Sequence, residues 1–266
     1  MTSSGETAAS RDVEITRHGV RSSAEERDTV AVEEPLEIRL GETALAVVMR
    51  TPGDDDDLVR GFFLTEGILV EPAEIQRIEH IDESRLSVTL APGIDVDATQ
   101  FQRNMFASSS CGVCGKASIE QVRIFGRPLQ HWTIEKGVAV SLTDRLRRHQ
   151  PTFDVTGGLH AAGLFDVRGE VLAVREDVGR HNAVDKVIGA ATRKHWPLPP
   201  CVVVVSGRQS FEVVQKAALA GIGGLVGVSA PSSLAVQLAH EIGMLLIGFS
   251  RGESFNVYAG GDRLAD

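Results

Sequence analysis

Between residues 201 and 249 the chain alternates short apolar runs with helical stretches, and this alternation restricts the fold more than any other feature. Cys201-Val202-Val203-Val204-Val205 is apolar throughout and almost wholly β-branched. That suits a strand covered on both faces, since a strand with one wet face would alternate polar and apolar residues. The run ends in Ser206-Gly207-Arg208-Gln209-Ser210, and a helix is predicted over 211–220. A second strand is predicted over 223–228; Ala230-Pro231-Ser232-Ser233 then cap a helix running to Ile242, and a third strand spans 244–249. Strand and helix in this rhythm form βαβ units, which require a parallel sheet and gather its loops at one edge. A final strand is expected over 255–259.

Upstream the texture differs. Residues 1–27 are polar, charged and without period, and are expected to be a disordered extension. From residue 28 apolar and polar residues alternate on either side of Gly41-Glu42, which predicts a hairpin or meander ended by Thr51-Pro52-Gly53. Asp54 to Asp57 precede an apolar-periodic run closed by Gly67, as expected of a helix with acidic residues at its positive end. A divalent-cation site is the alternative use of the four aspartates. Residues 71–94 hold another strand pair, with 85–90 alternating cleanly before Pro92-Gly93. A short helix or strand end is expected over 117–123, and a helix over 142–149 capped by Thr143-Asp144. Strands and glycine turns resume at Phe153, with a strand over 171–174 and a helix over 183–193. The domain plan is therefore an extension (1–27), a smaller strand-rich part (28–107), a cysteine loop (108–116) and an α/β part (117–266).

Composition excludes several classes. A chain of 266 residues buries a substantial core without disulfides, and three cysteines is an odd number. With no apolar signal segment in residues 1–10, these thiols point to a reducing cytoplasm. No run reaches the roughly 18 apolar residues of a membrane span. The net charge of −9 argues against a nucleic-acid binder, whose phosphate contacts call for a basic surface.

Two of the cysteines lie in Ser108-Ser109-Ser110-Cys111-Gly112-Val113-Cys114-Gly115-Lys116. Serine favours caps and turns and glycine adds backbone freedom, so the pair belongs on a loop, where Lys116 and free N–H groups favour thiolate. Zinc needs two more ligands at suitable spacing, and Cys201 stands alone without an H-x3-5-H pair, so no metal site is assigned. A thioredoxin-like pair would open a helix directly after a strand. Nucleophilic sulfur chemistry on a loop fits Cys111 and Cys114 best.

A second cluster, Arg175-Glu176-Asp177-Val178-Gly179-Arg180-His181-Asn182, stands at a strand-to-helix junction. Its two arginines suit an anionic ligand there. Ser206 to Ser210 suits a phosphate held by helix N–H groups, with Arg208 as counter-charge. His160-Ala161-Ala162 and Pro200-Cys201 echo the H-x-E and P-C-x-x-C of zinc deaminases. Ala162 replaces the general acid/base glutamate and Val204 the second cysteine, so the architecture can persist without that activity.

Four motifs occur in an order that resembles the formate dehydrogenase accessory sulfurtransferases, the FdhD family. They are Ser109 to Gly115, Thr156-Gly157-Gly158-Leu159-His160-Ala161-Ala162, Glu176 to Lys186, and Ser206-Gly207-Arg208, and none departs from the family pattern. The resemblance covers residue 30 to the C-terminus. It implies a cytidine-deaminase-like α/β fold, a mixed sheet flanked by helices with a smaller strand-rich N-terminal part, and a homodimer. It implies a sulfurtransferase that moves sulfane sulfur from a cysteine desulfurase, through a persulfide on Cys111 with Cys114 assisting, to the molybdenum or tungsten bis(pyranopterin guanine dinucleotide) cofactor. That cofactor is a bound acceptor destined for the formate dehydrogenase catalytic subunit, and no permanent prosthetic group is expected. The family's cofactor-binding hexapeptide corresponds to Phe249, Ser250, Arg251, Gly252, Glu253 and Ser254, with His160, Arg180, His181 and Arg208 completing the guanine-nucleotide pocket. The alternative is a non-catalytic cofactor chaperone whose cysteines sense redox state.

Overall fold

The computed structural model describes residues 9–20, 22–97 and 128–266. The cysteine loop and the element expected over 117–123 lie outside them. An antiparallel hairpin, β1 (Ser10–His18) with β2 (Ser23–Ala31), leads into a four-stranded sheet. This sheet comprises β3 (Glu34–Leu40), β4 (Thr43–Arg50), β5 (Ile75–Asp82) and β6 (Arg85–Leu90), in the order β4-β3-β6-β5. Helix α1 (Asp55–Thr65) lies between β4 and β5 in sequence. Then follow β7 (Ile134–Glu135), α2 (Lys136–Arg147), α3 (Pro151–Thr156), β8 (His160–Asp166), β9 (Val171–Asp177) and α4 (Arg180–Thr192). The chain finishes with β10 (Cys201–Val205), α5 (Phe211–Leu219), β11 (Gly224–Gly227), α6 (Ser233–Ile242), β12 (Leu245–Arg251), β13 (Ser254–Ala259) and β14 (Leu264–Ala265).

The larger sheet has six strands in the order β13-β12-β11-β10-β8-β9. Strands β10, β11 and β12 are parallel, as the βαβ rhythm requires, while β8 and β13 run antiparallel to their neighbours. Val202 to Val205 are buried because both faces of β10 are covered. Val203 and Val205 pack with residues of α4, α5 and α6, and Val202 and Val204 with Leu142 and Leu146 of α2. Each buried valine contributes about 1.5–3 kcal/mol, which is why this strand stands out in the sequence.

The small sheet buries Leu36, Ile38, Leu86 and Val88 against Leu58, Phe62 and Phe63 of α1. Helix α1 then meets α4 almost backbone to backbone. A Cβ on Gly61 would lie 1.8 Å from the Asp185 carbonyl oxygen, and one on Gly189 would lie 1.9 Å from that of Asp57. Asp55 to Asp57 form the first turn of α1, and two of them are used internally. Asp55 accepts from Arg50 at 2.9 Å, and Asp57 pairs with Arg175 at 2.7 Å and Arg193 at 3.3 Å. Gly67 takes the left-handed conformation (φ 68°) expected after the helix.

Three expectations are corrected. Residues 10–18 and 23–27, expected to be disordered, lie in the β1–β2 hairpin. Their strands bury almost nothing, so no apolar alternation marks them; backbone pairing, the Arg17–Glu26 ion pair and a Thr29 to Asp12 hydrogen bond hold them. Helix α2 begins at Lys136, and Thr143 and Asp144 lie inside it rather than capping it, because Ala139, Leu142 and Leu146 bury one continuous face. Residues 151–156 form α3, opened by Pro151 and closed by Gly157 at φ 63°, instead of joining the strand that follows.

Candidate functional site

Because β9, β11 and β12 run parallel to β10 and β8 runs opposite, the start of β8 and the ends of the other four share one edge. Topology thereby brings together His160, the Arg180-His181 turn, the Ser206 to Ser210 loop and the Phe249 to Ser254 turn. Ser206 is tied to β8, its Oγ accepting from Ala161 N at 2.9 Å. Gly207 follows with bare backbone, where an added Cβ would sit 3.3 Å from His160 Nδ1 and 3.9 Å from Arg180 Cβ. The His181 ring lies with Nε2 3.3 Å from both Ser210 Oγ and Glu212 Oε2.

The polar string at 175–182 divides into two jobs that its composition did not separate. Asp177 is fully buried and accepts from Thr51 N, Gly179 N, Asn182 Nδ2 and Lys186 Nζ, so it pins the β9–α4 turn to the chain between β4 and α1. Asn182 also donates to Met49 O at 2.7 Å, and Glu176 accepts from the backbone N–H groups of Thr152 and Phe153. These residues fix the scaffold. Arg180 and His181 are left to face the edge.

On the other side of the edge, β12 and β13 shift register between Gly248 and Arg251. Phe249 sits in the left-handed region at φ 51° and is 42% exposed, while Ser250 turns inward and is fully buried. Arg251 Nε donates to Val228 O at 3.1 Å. Gln209, which the sequence did not single out, joins the two sides: its Nε2 donates to Ile247 O at 2.8 Å and its backbone N to Ala230 O. The amide crosses β11 over Gly227, where a Cβ would meet Gln209 Nε2 at 1.9 Å. The only hint in sequence is that pairing of a lone glutamine with a strand glycine.

The edge gathers three arginines in an acidic chain. Among the described residues no carboxylate forms an ion pair with Arg180, Arg208 or Arg251. The Nε of Arg180 and the Oγ of Ser250 are buried without hydrogen-bond partners, and such groups gain when a ligand supplies one. Burial, then Arg180, Lys216 and His160, push the His181 imidazole down to about 3, so it is neutral at physiological pH. Burial, then Arg180 and Arg208, also lower His160. The arrangement suits phosphate oxygens, with guanidinium donors, the neutral His181 imidazole and an exposed aromatic ring for a base.

Cys111 and Cys114 lie outside the described residues. Cys201 is buried on β10, where burial pushes its thiol up to about 12, so it is an inert packing group. Among the described residues no group of three or more His, Cys, Asp or Glu side chains is placed to hold a metal ion, and no helix is long and apolar enough to cross a membrane.

Fold and site together define a mixed α/β protein, its sheets flanked by helices, with an anion-suited loop edge on the larger sheet. The chain belongs to the FdhD/NarQ family, whose model matches residues 31–265. It is 50% identical over 256 residues to the sulfur carrier protein FdhD of Streptomyces coelicolor, covering 90% of this chain and 89% of that protein. It is 49% identical over 256 residues to the sulfur carrier protein FdhD of Mycobacterium tuberculosis, covering 89% and 92%. The crystal structure of a "putative formate dehydrogenase accessory protein" from Desulfotalea psychrophila superposes with a TM-score of 0.79 at 26% identity, over 97% of this chain and all of that one.

Proposed function

We propose that this protein is a sulfurtransferase that serves formate dehydrogenase maturation in the cytoplasm, as a homodimer. It takes sulfane sulfur from a cysteine desulfurase and passes it to the molybdenum or tungsten bis-guanine-dinucleotide cofactor before that cofactor enters the formate dehydrogenase catalytic subunit. The observation that carries this is the sheet edge where Arg180, Arg208 and Arg251 form no ion pair with a carboxylate among the described residues, in a chain about half identical to proteins named as sulfur carriers. The same proposal gives the larger sheet a deaminase-like architecture without deaminase residues.

In the first transfer the Cys111 thiolate attacks the outer sulfur of the desulfurase persulfide. One S–S bond breaks, one forms, and the desulfurase thiolate leaves. In the second, Cys114 attacks the Cys111 persulfide, closing a disulfide while the sulfane sulfur leaves as sulfide. The dithiol thus supplies the two electrons that reduce it. The cofactor is the acceptor, held by its nucleotide ends through Arg180, Arg208, Arg251 and the Gly252 backbone, with the Phe249 ring as a platform for guanine.

Incubation with an active desulfurase and cysteine should raise the intact mass by about 32 Da per sulfur, reversibly by thiol reductant. Peptide mapping should place the sulfur on Cys111 and none on buried Cys201. An unchanged mass sinks the sulfurtransferase and leaves the cofactor chaperone.

The pocket has its own test. Calorimetry should show GDP binding more tightly than ADP, with an affinity that falls as salt screens the arginines. Arg251→Ala should weaken GDP binding and leave sulfur loading intact. Equal affinity for the two nucleotides would reduce the edge to a general anion site.

A further inference from the structure

His160 is the group at this edge whose charge is placed to follow the ligand. It opens β8, opposite Asp177 in the β8–β9 register, and lays its ring against the bare backbone of Gly207. The groups bearing on it come from every neighbouring element: Asp177 at the end of β9, Arg180 and His181 at the start of α4, and Arg208 after β10. Burial and the two guanidinium groups disfavour the imidazolium. Asp177 favours it, but Asp177 is already engaged by Lys186 at 2.8 Å. His181 is more deeply enclosed, with its Nε2 taken up by Ser210 and Glu212, so it stays neutral. Burial and both guanidinium groups therefore work against charge on His160, whose ring lies beside two cations that form no ion pair with a carboxylate among the described residues.

We propose that His160 is a third cation of the site that its ligand switches on: a phosphate diester seated between Arg180 and Arg208 draws a proton from solvent onto His160, and the imidazolium then helps hold it. This rests on the proposed seating of the cofactor's diphosphate at the same edge. A phosphate charge cancels the field of the guanidinium groups and adds attraction of its own, and both changes favour the protonated ring. Linkage makes the effect reciprocal: if the ligand raises the affinity for a proton, acidification raises the affinity for the ligand by the same factor. The site would then hold its dinucleotide more firmly as pH falls, and a rise in pH would ease release.

The probe is a dinucleoside diphosphate, two guanosines joined through a diphosphate, because a diphosphate diester has no ionisation of its own between about pH 5 and pH 8, where histidine titrates. Calorimetry in buffers of different ionisation enthalpy should show net uptake of a fraction of one proton per site. Affinity should rise about three- to tenfold between about pH 7.5 and about pH 6, the limit for one linked proton being tenfold per unit. In parallel, the imidazole carbon resonances of His160, assigned through His160→Gln, should titrate at higher pH when the probe saturates the protein. Binding with heats independent of buffer, or an unmoved His160 titration, overturns the proposal and leaves the binding site intact. Failure to bind the probe at any pH overturns both. Should His160→Gln lose binding altogether, the ring titration in the unsubstituted protein still decides.

Discussion

Gly61→Ala and Gly189→Ala should each destabilise the protein by about 3–5 kcal/mol, a fall of roughly 6–20 °C in melting temperature for a chain of this size. In an isolated helix the same change stabilises by about 1 kcal/mol, so local propensity points the other way. The clash decides the sign. A Cβ on Gly61 would stand 1.8 Å from the Asp185 carbonyl oxygen, and one on Gly189 would stand 1.9 Å from that of Asp57. In both cases the obstacle is backbone inside a helix, which cannot turn aside as a flexible side chain would. Relief requires α1 and α4 to move apart, which loosens Leu58 and Phe62 on one side and the Asp57–Arg175 pair on the other. Gly137 is the control: it lies in α2 with nothing within 4 Å of its missing Cβ. Gly137→Ala should therefore leave stability unchanged or raise it by a few tenths of a kcal/mol. Thermal melts of the three variants check this, and a Gly61→Ala melt matching that of Gly137→Ala would mean that the two helices do not touch as described.

Lys216→Met should be about as damaging, costing about 3–5 kcal/mol, since it strands a buried carboxylate. The Lys216 ammonium lies 3.0 Å from Asp185 Oδ2, 2.5 Å from Glu66 Oε1 and 3.1 Å from Thr65 Oγ1, so a single cation joins α5, α4 and the end of α1. Burial opposes its charge, but Asp185, Glu66 and Glu212 outweigh burial and hold the amine above its ordinary range. Burial also lifts Asp185 to about 6, against the pull of Lys216. A carboxyl with a raised folded pKa binds more protons in the native state than in the unfolded chain. Its contribution is therefore full below the unfolded value of about 3.9 and is lost as pH rises through the folded value. Removing Lys216 lifts the folded value further, so the deficit of Lys216→Met should be larger near pH 8 than near pH 5 in urea unfolding. Adding Asp185→Asn should recover part of the loss, because the stranded charge goes with it. A deficit independent of pH would show that lost packing, not the stranded carboxylate, carries the cost.

Much of the architecture was legible locally. The valines of β10, the Ser232 cap of α6 and the alternation of residues 85–90 each report a local state, because burial on both faces, a cap hydrogen bond or a half-buried face leaves a repeat two to four residues long. The parallel order of β10, β11 and β12 follows from the same rhythm, and so does the shared edge that brings Arg180, Arg208 and the Phe249 to Ser254 turn to one side. Where a strand hardly buries, as in β1 and β2, or a helix face runs past its expected start, as in α2, the repeat is faint or misplaced.

What sequence alone determined is the family, the parallel half of the large sheet and the residue types at its edge, all carried by neighbours close in the chain. Tertiary structure alone decided what those residues do. It separated Asp177 and Asn182, which hold the turn, from Arg180 and His181, which stand at the loop edge of the large sheet, and it gave Gln209 its span across Gly227. It also turned the aspartates of the first turn of α1 into partners for Arg50, Arg175 and Arg193, and it left no room for a Cβ at Gly61 or Gly189. The physical reason is sequence separation: Asp57 and Arg175 are 118 residues apart and Thr65 and Asp185 are 120 apart. No local periodicity encodes which buried charge meets which, because that pairing exists only once two sheets have closed on the helices between them.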